Sequence, residues 1–102
     1  MQIAITSQGE SLADNLDPRF GRAAYFIFYD IDTGDFDARQ NPALDAPSGA
    51  GVEAAQFLAQ SHARVVISGR FGPKAYRALE SAGLQVVSAP PLSIGDVVEK
   101  YK

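Results

Sequence analysis

Apolar residues along this chain occur at two alternating spacings, and the alternation predicts a layered α/β fold. Ile3-Ala4-Ile5 is a short apolar run and predicts a first strand over Gln2 to Thr6. Ala24-Tyr25-Phe26-Ile27-Phe28-Tyr29, rich in aromatic and branched residues, predicts a second. Asp32-Thr33-Gly34-Asp35 has the composition of a tight turn, so Phe36 to Arg39 is expected to pair back as the other arm of a hairpin. Arg64 to Ser68 and Leu84-Gln85-Val86-Val87 predict two further strands. Elsewhere the period lengthens. Val52, Ala55, Leu58 and Ala59 share one face of a helix expected from Val52 to about Ser61, with Ser48 or Gly49 as its cap. A second helix is expected from Pro73 to Ala82, stopped by Gly83, and a third from Ser93, with Asp96 placed as in a capping box. Ile94, Val97, Val98 and Tyr101 give this last helix one apolar stripe.

The resulting order is β-β-β-α-β-α-β-α. The hairpin makes its strands antiparallel, and each strand–helix–strand crossover makes its strands parallel. A mixed five-stranded sheet with helices on its faces, in one domain spanning residues 1–102, is therefore expected. Three loops should then gather beyond the carboxyl ends of the parallel strands, where open α/β sheets bind ligands. They carry Arg19-Phe20-Gly21-Arg22, the stretch Asn41 to Gly51, and Gly69-Arg70-Phe71-Gly72-Pro73-Lys74. Two helices begin at this edge, presenting unpaired N–H groups and the positive ends of their dipoles. With Arg19, Arg22, Arg70 and Lys74 beside them, the ligand expected there is an anion.

Composition narrows the function further. The chain has 102 residues, 46% of them hydrophobic and 21% charged, as in an ordinary globular protein. It has no cysteine, so a permanently held thiolate-ligated cluster or zinc site is excluded, and a reducing, cytoplasmic setting is expected. A net charge of -3 argues against general binding to nucleic acid or acidic membranes, and no apolar run approaches membrane-spanning length. The hairpin string Asp30-Ile31-Asp32-Thr33-Gly34-Asp35 lacks the twelfth-position glutamate of a calcium loop, Asn41 standing there instead, and reads as a solvated turn. His62, the only histidine, is expected at the opposite end of the sheet, at the end of the first helix. Neither the first nor the fourth strand carries a carboxylate for two-metal chemistry, and no serine is expected to meet a base. No enzyme is expected.

Four motifs occur together: Asp17-Pro18-Arg19-Phe20-Gly21-Arg22-Ala23, Asn41-Pro42, Gly49-Ala50-Gly51 with Ala54-Ala55, and Gly69-Arg70-Phe71-Gly72-Pro73-Lys74-Ala75. In this order they resemble the dinitrogenase iron–molybdenum cofactor biosynthesis family, small proteins similar to NifX and to the C-terminal domain of NifB, over about Ile3 to Val87. The resemblance implies a ribonuclease H-like motif. It also implies transient binding of an iron–sulfur or iron–molybdenum cluster, or its precursor, in transit to a cofactor-assembly or acceptor protein. Arg19 stands where many relatives place histidine, and Arg70 where many place asparagine. Loops and resemblance together assign cofactor binding to Arg19, Phe20, Gly21, Arg22, Asn41, Gly49, Gly51, Gly69, Arg70, Gly72 and Lys74. The leading expectation is a non-enzymatic carrier; the alternative is a regulatory or protein-interaction module that binds no metal.

Overall fold

The computed structural model describes residues 1–102. Its elements are β1 (Gln2–Ser7), β2 (Tyr25–Asp30), β3 (Phe36–Gln40), α1 (Ala50–Ala59), β4 (Ala63–Ser68), α2 (Pro73–Ser81), β5 (Gln85–Ser88) and α3 (Ile94–Tyr101), in the order expected. They form a mixed five-stranded sheet, β3-β2-β1-β4-β5. β1 pairs antiparallel with β2 and parallel with β4, so it joins the hairpin half of the sheet to the crossover half. The carboxyl ends of β1, β4 and β5 consequently point one way, and the Asp30–Asp35 turn lies at the other end.

Alternation along the strands sends side chains to two separate cores. Ala4, Phe26, Phe28 and Val66 face one layer, where Ala54, Ala55 and Leu58 of α1 and Ala75 and Leu79 of α2 cover them. Ile3, Ile5, Ile27, Val65 and Ile67 face the other layer, covered by Ile94, Val97 and Val98 of α3. The stripe read in the last helix is thus a packing face, with Tyr101 half-buried at its end.

Most element ends fall within one residue of expectation. The larger shift is in α1, which begins at Ala50 instead of Val52 and buries Ala50, Ala54, Ala55 and Leu58, leaving Val52 half-buried and Ala59 exposed. Gly49 explains the early start. As N-cap it adopts φ 70°, a left-handed conformation open to glycine, and turns the chain into the helix without any side-chain cap. The third helix is capped as read, Ser93 accepting a hydrogen bond from the Asp96 N–H at 3.2 Å.

Candidate functional site

A buried knot of polar groups pins the loop after β1 onto both central parallel strands. The Thr6 hydroxyl donates to the Asp17 carbonyl (2.7 Å) and is hydrogen-bonded to the Ser68 hydroxyl (2.8 Å), and the Asp17 N–H donates to the Thr6 carbonyl (2.9 Å). One step further the two loops pair directly. The Arg70 N–H donates to the Pro18 carbonyl (2.7 Å) and the Phe20 N–H to the Arg70 carbonyl (3.2 Å), which sets Arg19 and Arg70 side by side in a parallel bridge. Gly69 allows this approach, since a Cβ there would lie 2.7 Å from the Pro18 Cα.

The third loop closes on the first. Asn41, buried, donates through Nδ2 to the Gly21 and Ala23 carbonyls (3.1 and 3.0 Å) and accepts the Ala43 N–H on Oδ1 (2.9 Å). The Arg22 guanidinium donates to the Leu44 and Ala46 carbonyls (2.9 and 2.7 Å). These contacts bring the N-terminus of α1 against Gly21, where backbone meets backbone.

An open depression of about 430 Å³ results, lined by Arg19, Phe20, Gly21, Arg22, Gly51, Arg70 and Gly72, together with Ala50 and Phe71. The other expected residues do not line it. Asn41 is buried beneath the loop with its amide fully engaged, Gly49 turns the chain into α1, Gly69 packs against Pro18, and Lys74 is exposed on the first turn of α2. Arg22 lines the depression while its guanidinium ties down the loop after β3, so Arg19 and Arg70 are the cations left at the rim. Phe20, only 2% exposed, is core as much as site. Its ring stands 5.1 Å from that of Phe71, and the two make an apolar floor. The sequence reading missed Phe71; a large apolar side chain inside a glycine turn, where polar residues are usual, was its signal.

Neither α1 nor α2 has a side-chain cap, so the N–H groups of both first turns lack side-chain partners where the helices meet the depression. No carboxylate, imidazole or thiol lines it. No group of three or more histidine, cysteine or acidic side chains that could hold a metal ion occurs in the chain. The site can attract an anion through charge and N–H donors, but offers no thiolate or imidazole to bond to iron.

The far end of the sheet has a different character. His62 is exposed beyond α1 and lines a separate cavity of about 300 Å³ with Asp37 and Arg39. Asp30 caps the hairpin turn, accepting the Asp32 N–H (2.8 Å) and the Thr33 N–H (3.3 Å), and the first of these bonds chiefly holds its carboxyl below its ordinary value. No helix is long and apolar enough to cross a membrane.

Comparison with known proteins gives concordant results. The chain matches the family described as dinitrogenase iron–molybdenum cofactor over residues 1–102. It is 28% identical over 91 residues to an uncharacterized protein of Methanocaldococcus jannaschii, covering 86% of this chain and 77% of that one. Among solved structures, it resembles the apo form of the orange protein from Desulfovibrio gigas, with a TM-score of 0.94 and 39% identity over 98% of this chain and 85% of the other. It also resembles a NifB-like protein from Thermotoga, with a TM-score of 0.84 and 29% identity, again over 98% and 85% of the two chains.

Proposed function

From the premise that the chain belongs to the dinitrogenase iron–molybdenum cofactor family, we propose that it is a non-enzymatic carrier of an anionic metal cluster, an iron–sulfur or iron–molybdenum species or its precursor. The observation behind this reading is the make-up of the depression: two solvent-exposed arginines, Arg19 and Arg70, and two uncapped helix starts, with no side chain suited to bonding iron. Such a surface suits cargo that keeps its own inorganic shell. Hydrogen bonds from N–H groups and the charge of Arg19 and Arg70 would hold the outer atoms, and Phe20 and Phe71 would exclude water from one side. Binding without a protein–metal bond also suits release, because no ligand exchange at the metal is needed to pass the cluster to an acceptor protein. The absence of a general acid–base pair around the depression is consistent with carriage instead of turnover.

Anaerobic purification from the native host, followed by metal analysis and absorption spectroscopy, tests the reading. Iron or molybdenum at substantial stoichiometry, lost on exposure to competing anions, is the expected result. A metal-free protein whose melting temperature responds to no cluster or polyanion would favour the interaction module instead.

A further inference from the structure

Asp17 does not line the depression, yet it is the one charged residue among the buried residues of the chain, with its side chain 4% exposed. Its backbone is immobilised by the Thr6 and Ser68 contacts, so the carboxylate projects from a rigid point at the ends of β1 and β4. Both hydrogen bonds made by Oδ1 go to one residue. It accepts the Arg19 N–H at 2.9 Å and the Arg19 Nε–H at 3.4 Å. Arg19 is meanwhile 61% exposed at the rim. Its neighbour across the bridge, Arg70, forms no ion pair with any carboxylate.

We propose that Asp17 is a positioning residue: it holds the Arg19 guanidinium in a preset place beside Arg70, so that the rim meets an anion with one arginine fixed and the other adaptable. The inference rests on the carrier reading, and it assigns a role to a residue outside the depression. Two like charges resist being gathered, and a long side chain loses entropy when ordered. A buried carboxylate opposes both costs before any ligand arrives, and it needs a cationic partner to be buried at all.

Charge and position predict opposite signs. Replacing Asp17 by asparagine raises the net charge of the rim by one, so charge alone would tighten the binding of every anion. If Asp17 acts by position, Asp17→Asn weakens binding instead. Its amide oxygen still accepts the Arg19 N–H, but the charge-assisted hold on the guanidinium is gone.

The test uses the full chain with tetrathiomolybdate as probe and inorganic phosphate as comparison, by calorimetric titration of wild type, Asp17→Asn, Arg19→Gln and the double variant. The expected result is a roughly tenfold loss of tetrathiomolybdate affinity in Asp17→Asn and no further loss when the same change is made on Arg19→Gln. Equal or tighter binding by Asp17→Asn overturns the proposal, and so does the same loss in both backgrounds. Should Asp17→Asn fail to fold, the wild-type protein still decides. The Arg19 Nε–H resonance should exchange with water more slowly than that of Arg70, and equal exchange overturns the proposal. If wild type binds neither anion, the carrier reading fails, while the Nε–H comparison still shows whether Asp17 holds Arg19.

Discussion

A Cβ atom on Gly21 would lie 2.7 Å from the backbone nitrogen of Gly51. The loop after β1 and the first turn of α1 therefore touch through bare backbone, and this contact brings one uncapped helix start to the depression. Gly21→Ala should push the two apart and cost about 1–3 kcal/mol, as overpacking does. Urea denaturation measures the loss. An unchanged midpoint would mean that α1 shifts without resistance.

Gly72 makes the opposite case. It adopts an ordinary extended conformation (φ -68°, ψ 156°) at the start of α2, and a Cβ there would meet nothing within 4 Å. Gly72→Val should accordingly melt within about 0.5 kcal/mol of wild type, because it is neither strained nor crowded. Anion binding should still fall, since the branched side chain would stand beside the first-turn N–H groups of α2. Full affinity in this variant would remove that turn from the site.

Arg70 contributes to the fold through its backbone, whose N–H and carbonyl make the bridge to Pro18 and Phe20, while its side chain is exposed. Arg70→Glu should leave stability within about 0.5 kcal/mol of wild type and reverse a rim charge. Affinity for an anionic cluster or polyanion is expected to drop, and to drop more at low ionic strength, where screening is weak. Titration at two salt concentrations checks this; equal binding by both proteins would exclude the side chain from recognition.

Val98 is 2% exposed between α3 and the sheet, among Ile3, Ile27 and Val65 in the same core cluster. Val98→Asp would bury a carboxylate without a partner, a change that costs about 3–5 kcal/mol, a large share of the roughly 5–15 kcal/mol that holds a typical domain together. The variant should unfold or aggregate. A normal thermal midpoint would show α3 to be peripheral to stability.

The hairpin turn should respond to acid through Asp30. The Asp32 N–H, and more weakly the Thr33 N–H, favour its ionised form and lower its pKa from 3.8. A depressed carboxyl stabilises the fold above its unfolded value and loses that contribution as pH falls through the lower folded value. Asp30→Asn keeps an oxygen acceptor but cannot titrate there. Wild type should therefore exceed Asp30→Asn in stability at neutral pH, and the gap should begin to narrow below about pH 4 and vanish only once the pH is below the depressed folded value. A gap independent of pH in paired melts would show that the turn is indifferent to the charge.

Periodicity along the chain was sufficient for the element order, the strand directions and the end of the sheet at which the glycine loops gather. Period two and period 3.6 are local properties, and the handedness of crossovers follows from chain chirality. Ser93 and Gly83 acted as the local signals they are, a helix cap and a helix stop at positive φ. The division of labour inside the site was not legible in the same way. Arg19, Arg22 and Arg70 are equivalent in sequence, yet Arg22 is tied to two carbonyls of another loop, Arg19 to a buried carboxylate, and Arg70 to neither. Asn41 reads as a ligand-binding amide but spends its hydrogen bonds inside the protein, and Phe71 becomes part of a floor only because Phe20 arrives beneath it. The sequence alone determined which elements form and where polar and glycine-rich loops must lie, because those depend on neighbours a few residues away. Which cation faces solvent and which holds a loop was decided only by tertiary structure, because the carbonyls and carboxylates that compete for each guanidinium come from other loops and strand ends that meet only when the sheet assembles.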